Sequence, residues 1–171
     1  MMTSWFSFRR RRQALPTLTA IYVAMGAGEP MQFLTCAEAV SGRGLQGDRY
    51  CAGTGHWLSI EACQVTLITA HDLLQAVKNT SPLIHKELDS GGHRRNLVIG
   101  GLKTRQLEGR SFRIGSAVFR YEKPRPPCGY IDQVVGKGMG RALSHNSGVC
   151  IRVVSGGALT VGDAVVILEN E

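Results

Sequence analysis

The chain has 171 residues, 43% hydrophobic and 19% charged, with 21 glycines and a formal net charge of +7. This composition excludes a disordered or fibrous chain and suits one domain with a sizeable core, and no stretch approaches the roughly 20 apolar residues of a membrane span. Four arginines at positions 9–12 carry much of the charge and leave +3 for the rest, so the charge alone does not argue for a nucleic-acid-binding body.

Residues 1–16 are expected to form a mobile basic arm ahead of a single domain over 17–171. Their arginines and short apolar run resemble a signal peptide only superficially, because Pro16, Thr17 and Thr19 interrupt the run. Cys36, Cys51, Cys63, Cys128 and Cys150 are odd in number, widely spaced and without a CxxC pair. They do not read as a disulfide framework or a zinc site, and a reducing cytoplasm is the expected compartment.

Thr17 to Ala24, rich in β-branched residues, predicts the first strand, and Gly26 to Pro30 a turn. Cys36 to Val40 predicts a second strand. Gly42 to Tyr50 reads as a glycine-punctuated loop ending in Asp48-Arg49, and its spacing does not match a dinucleotide fingerprint. Cys51 to Ser59 reads as an irregular loop in which His56 stands alone and is taken as a non-ligand. Gln64 to Ile68 predicts a strand, Thr69 an N-cap, and Ala70 to Lys78 a helix with Leu73, Leu74 and Val77 at helical spacing. Ser81-Pro82 opens another helix through Leu88.

His93 to Gly101 predicts a strand in which Arg94 and Asn96 face one way and Arg95 the other. Arg94 and Asn96 could bind an anion and an amide-bearing ring; the alternative is an edge strand with protective charge. Phe112 to Tyr121 predicts a hairpin or a kinked strand at Gly115. The stretch Lys123-Pro124-Arg125-Pro126-Pro127-Cys128-Gly129 follows. Its three prolines fix φ and remove donors, which excludes regular helix or central strand. It presents one thiol at the start of a short helix, Tyr130 to Val135, beside Arg125 and Lys123, where thiolate is favoured. The alternative is a buried structural cysteine after a turn. Gly136 to Arg141 reads as a flexible basic segment without a phosphate-loop ending. Gly148 to Val154 and Val161 to Leu168 predict the last strands, the second bulged at Gly162-Asp163.

Seven or eight short strands and two or three short helices predict a mainly β (α+β) fold, a closed or half-closed and mostly antiparallel β-barrel.

Several of these stretches, in order, resemble one family. They are the Gly42 to Tyr50 loop, the Val65 to Ile68 strand with its helix, and Arg94-Arg95-Asn96-Leu97. Pro127-Cys128, Gly148 to Val154, Gly156-Gly157 and Gly162-Asp163 complete the set. Together they resemble the MOSC domain, named for the C-terminal domain of molybdenum cofactor sulfurases, from about Thr17 to Leu168. The resemblance implies a domain that handles the molybdenum cofactor or its sulfur. Carried over, Cys128 is the molybdenum ligand or sulfur carrier, and Arg94 and Asn96, with Arg95, hold the pterin and phosphate of molybdopterin. Asp48, Arg49 and Arg125 are further candidate cofactor contacts. Soft thiolate suits a soft metal or persulfide, and arginine suits phosphate. Tyr50 stands where relatives carry histidine and is assigned no role. Larger molybdenum reductases carry an extra N-terminal domain, so the envelope here is expected to be open or completed by another subunit.

Three functions follow. The first is a molybdenum-dependent oxidoreductase reducing small N-hydroxylated or similar N–O compounds, with a redox partner protein. The second is a non-redox sulfur carrier holding persulfide on Cys128 and serving a cofactor sulfurase. The third is a nucleic-acid-binding barrel using Arg9 to Arg12, for which interleaved aromatics are missing, aromatic content being 6%.

Overall fold

The fold was obtained as a computed structural model, which describes residues 15–56, 63–78 and 80–169. Among these residues the chain runs β1 (Thr17–Val23), β2 (Gln32–Leu34), β3 (Cys36–Val40), β4 (Gly44–Leu45), α1 (Arg49–Ala52), β5 (Val65–Thr69), α2 (Ala70–Lys78) and α3 (Pro82–Asp89). It continues with β6 (Leu97–Gly100), β7 (Ser111–Ile114), β8 (Ala117–Pro124), α4 (Gly129–Val134), α5 (Met139–Leu143), β9 (Val149–Ser155), β10 (Gly157–Thr160) and β11 (Val165–Ile167).

The protein is mainly β, built on one eight-stranded mixed sheet in the order β11-β7-β8-β9-β5-β6-β1-β2 and a three-stranded sheet β10-β3-β4. Pairing is antiparallel except between β5 and β6. Such a parallel pair needs a long crossover, which α2 and α3 supply. No sheet is closed among the described residues. The nearest approach is one isolated bridge, Thr17 to Ala164, with Val165 N–H donating to the Pro16 carbonyl at 2.7 Å. Among the described residues no helix is long and apolar enough to cross a membrane.

Two hydrophobic clusters lie on opposite faces of the central strands. Every residue of β5 is buried; Leu67 joins the larger cluster with Leu97, Ile99, Phe112, Phe119 and Ile151, while Ile68 faces the other way. With Val98 it meets Ala76, Leu88, Ile131 and Leu143 from the helices. The alternation of side chains along a strand makes this possible, and burial on both faces explains the uninterrupted apolar run of β5 and β6.

Several expectations are corrected. β6 lies between β5 and β1, so it is not an edge strand, and it starts only at Leu97. Lys123 and Pro124 belong to the central strand β8, opposite Cys150 and Val149, after a register shift at Tyr121/Lys123. Proline is tolerated there as the last residue of the strand. α5 begins inside the supposed flexible segment at 136–141, and α1 spans the end of the Gly42 to Tyr50 loop and the start of the supposed irregular loop at Cys51. Both are about one turn long, too short to show helical periodicity. Gly162-Asp163 is a turn rather than a bulge, with the Asp163 carboxylate accepting from Thr160 N–H at 2.7 Å.

Cys63 and Cys150 form a disulfide, with Cα atoms 5.5 Å apart across 87 residues of sequence. The β5–β9 pairing brings them together: Thr66 lies opposite Cys150. Two of the five cysteines are thus paired, against the expectation of no disulfide, and the cysteines do not indicate a reducing compartment. Cys36, Cys51 and Cys128 remain free.

Candidate functional site

An open hollow of about 480 Å³ forms where the end of β8, the first turn of α1 and the residues before β6 converge. Cys128 is the N-cap residue of α4, in extended conformation (φ −123°, ψ 162°), half-buried, and its sulfur makes no capping bond. Cys128 lines the hollow, and its thiol is in no disulfide. Arg49, Arg94, Arg95 and Arg125 line the same hollow, and among the described residues no carboxylate does.

Each guanidinium is fixed from behind. Asp48 caps α1, accepting from Tyr50 N–H at 3.1 Å through Oδ2. Its Oδ1 accepts from Arg49 Nη1 at 3.0 Å, Ala24 N–H at 3.1 Å and Asn96 Nδ2 at 2.9 Å. Arg49 also donates to the Arg94 carbonyl at 3.2 Å and lies 4.5 Å from the centre of the Tyr50 ring. Arg95 donates from Nε to the Ser147 carbonyl at 2.7 Å and from Nη2 to Ser147 Oγ at 2.6 Å. Arg125 continues the β8–β9 ladder, its N–H donating to the Gly148 carbonyl at 2.9 Å, and its Nη2 meets Tyr50 Oη at 3.4 Å. Gly148 must be glycine: φ is +81°, and a Cβ would run into the Leu67 carbonyl.

Arg94 and Arg95 face the same hollow, contrary to the expected alternation. Arg94 has a left-handed backbone (φ 57°) and precedes the strand, so the two-residue period does not apply to it. Its N–H donates to Gly91 and its Nη1 to the Glu29 carbonyl at 2.7 Å.

Asn96 and Asp48 do not line the hollow. Asn96 is fully buried; Oδ1 accepts from Thr66 N–H at 3.0 Å and Thr66 Oγ1 at 2.8 Å, while Nδ2 donates to the Tyr22 carbonyl and Asp48. It ties β1, β5 and the α1 cap together, and its amide is saturated. Its place is beneath the arginines.

Crowded, buried cations disfavour one another. Burial, then the Arg49 charge, pulls the Arg94 pKa down; burial, then Arg125, lowers that of Arg95 to about 9. Both stay cationic at neutral pH, so the hollow keeps a positive charge; among the described residues Arg49 alone of its four arginines is paired with a carboxylate, that of Asp48. Beneath it His93 is buried, with its Nδ1 accepting from Arg95 N–H at 3.0 Å. Burial, then Arg95, lowers its pKa to about 3.

Tyr50, His56 and Tyr130 also line the hollow; from sequence Tyr50 was assigned no role, His56 was taken as a non-ligand and Tyr130 was not singled out. The His56 and Tyr130 rings are stacked, centroids 3.8 Å apart and 2° from parallel. Tyr50 and Tyr130 were within reach, being one residue after Arg49 and two after Cys128; nothing local marked His56. Among the described residues, no group of three or more His, Cys, Asp or Glu could hold a metal ion without help.

Residues 48–166 match the family model described as the MOSC domain. The chain belongs to the MOSC domain family. This ties it, at the level of the domain, to molybdenum-cofactor chemistry. The match begins at Asp48, the cap behind Arg49, and includes the hollow's thiol and all four arginines. No curated protein matches the chain.

Solved structures share the fold. YuaD from Bacillus subtilis superposes with a TM-score of 0.72 at 15% identity, covering 92% of this chain and 98% of that one. YiiM from Escherichia coli gives 0.62 at 14% identity, over 91% and 71%. YiiM from Geobacillus stearothermophilus gives 0.61 at 16%, over 90% and 75%. At these identities the likeness extends to the MOSC fold alone.

Proposed function

We propose that this MOSC domain binds the molybdenum cofactor in the arginine-lined hollow, with Cys128 as the protein ligand to molybdenum, and reduces small N-hydroxylated or similar N–O compounds. The observation that carries the reading is one free thiol sharing a hollow with four guanidinium groups and, among the described residues, no carboxylate. The donor chemistry fits: soft sulfur suits a soft metal, and buried arginines suit a phosphate-bearing anion. With no metal-binding cluster among the described residues, the cofactor's own ligands would have to complete the metal's coordination.

Bound there, the cofactor would supply the redox change. Reduction of an N–OH compound to the amine takes two electrons and two protons and releases water, and a separate redox partner protein supplies the electrons. The chain's residues do the rest. Arg94, Arg95 and Arg125 hold the anion, Asp48 and Asn96 keep Arg49 aimed, and the stacked His56–Tyr130 pair offers a flat wall beside the thiol. Among the described residues, His56, Tyr50 and Tyr130 are the proton-bearing groups at the hollow other than the thiol and the arginines.

The test is molybdenum content after expression in a cofactor-making host. Wild type should retain molybdenum and Cys128→Ala should not; equal content in the two would sink the proposal.

A second reading rests on a different observation. Among the described residues no second cysteine lines the hollow to resolve a persulfide on Cys128. The chain could then carry sulfur, taken from a sulfane donor that leaves as its thiol, toward a cofactor sulfurase. A stable added sulfur on Cys128 in the mass spectrum, with no bound molybdenum, would favour this reading over the first.

A further inference from the structure

Among the described residues, helices cover only half of one face of the large sheet. The cluster on their side takes Ile68 of β5 and Val98 of β6, with Ala20 and Tyr22 of β1 packed against it, and nothing from β7, β8, β9 or β11. The register says which side chains stand on the uncovered half. Opposed residues of an antiparallel pair point the same way, and direction alternates along each strand. Thr66, two residues before the helix-facing Ile68, lies opposite Cys150, so Arg152 stands on that face. Arg120 lies opposite Arg152, and Ser111 opposite Arg120, which brings Arg113 to the same face.

All three arginines are exposed, and none forms an ion pair among the described residues. Arg113 Nη1 donates to the Gly115 carbonyl at 3.3 Å. Glu122 is the one acidic residue in these four strands. Arg120 and Arg152 are directly opposed, and like charges so placed destabilise a sheet. An anionic partner would relieve them. Apolar side chains are set among the cations: Val118 and Val166 lie opposite Arg113 on either side, and Val154 is 50% exposed. Phe119 and Tyr121 turn to the core, so the face offers bases no ring to stack on and a bilayer no aromatic anchor. Arginine beside apolar groups suits a protein interface. From Arg120, β8 runs roughly 13 Å to Pro124 and then enters the hollow's rim at Arg125.

We propose that this face docks a small acidic electron-carrier protein. Its carboxylates pair with Arg113, Arg120 and Arg152, and its apolar contacts fall on Val118, Val154 and Val166. Each docking passes one electron to the site and leaves the carrier oxidised by one, so two dockings match the two electrons that reduction of an N–OH compound takes. The carrier's role rests on the reductase reading above, and the experiment separates docking from that reading.

Amide chemical shifts of the full chain are followed on titration with oxidised flavodoxin, an acidic one-electron carrier, and separately with a duplex DNA dodecamer and with phosphatidylserine vesicles. Flavodoxin should shift Arg113, Arg120, Arg152 and Val154 saturably, and should bind at least tenfold more weakly at about 0.5 M salt than at about 0.05 M. Arg120→Glu should weaken flavodoxin at least tenfold with an unfolding midpoint no lower than that of the wild type, since it sets opposite charges across the pair. No saturable shift, shifts confined to other faces, or equal affinity in Arg120→Glu would overturn the docking face. So would DNA or vesicles that take these amides more tightly than flavodoxin does. Equal molybdenum content in wild type and Cys128→Ala would instead overturn the reductase reading, while saturable flavodoxin shifts would still support the docking face.

Discussion

Ser147 receives two N–H groups of Arg95, one on its carbonyl and one on its hydroxyl, at 2.7 and 2.6 Å. Both residues are buried, Ser147 at 2% exposure and Arg95 at 5%. The guanidinium is thereby aimed before any ligand arrives.

Ser147→Ala removes one of these acceptors and leaves a buried cationic donor short of a partner. Stability should fall by about 1–3 kcal/mol. Phosphate affinity should fall as well, because Arg95 loses its orientation. Denaturant unfolding and phosphate titration check the two effects, and a variant that loses neither would show that Ser147 does not position Arg95.

Arg94 pairs a useful side chain with an unfavourable backbone. Its left-handed conformation costs a non-glycine residue about 1–2 kcal/mol. Arg94→Gly should therefore be more stable than Arg94→Ala by about 1 kcal/mol, although both lose the same guanidinium and should bind phosphate equally weakly. Comparing the two unfolding midpoints isolates the backbone term.

His93 makes stability depend on acidity. Its folded pKa, about 3, lies below the ordinary histidine value of 6.5. Below pH 6.5 the unfolded chain takes up a proton that the native chain refuses. Its contribution is therefore complete above pH 6.5 and lost as pH falls toward 3, at about 1 kcal/mol per pH unit. His93→Gln should flatten this part of the pH–stability profile relative to wild type. An unchanged slope between pH 6 and 4 would remove His93 as its source.

The Cys63–Cys150 disulfide closes a long loop. In the chain-entropy account, a separation of 87 residues corresponds to about 4.6 kcal/mol. Cys63→Ala combined with Cys150→Ala should lower the unfolding free energy by about 2–5 kcal/mol, and a reductant should then leave the variant's transition unmoved while shifting that of the wild type.

Much of the fold was legible where local chemistry governs. The strand Thr17–Val23, the helix Ala70–Lys78 with Thr69 Oγ1 accepting from Asp72 N–H at 3.2 Å, and the Pro82–Asp89 helix followed from propensity, capping and spacing. What escaped was set by distant partners. That β6 is interior depends on β1 and β5, and the Cys63–Cys150 bond on the pairing of β5 with β9. At the site, Cys128, Arg49, Arg94, Arg95 and Arg125 were named from sequence and share one hollow. Asp48 and Asn96 were named with them but lie below, since nothing in a sequence separates a polar residue that meets ligand from one that holds its neighbour. His56 reaches the hollow by stacking on Tyr130, a contact across 74 positions with no local signature.

Arg125 and Arg95 are both hung from the two residues that precede β9, through Gly148 and Ser147. A change in chain length is therefore not equally tolerable everywhere. One residue added between 144 and 148 would unseat both cations together and drag the neighbouring cysteine off its mark. One residue added at the surface turn around Gly109, where a side chain meets nothing within 4 Å, would leave the chemistry in place. Tags and reporter segments belong there.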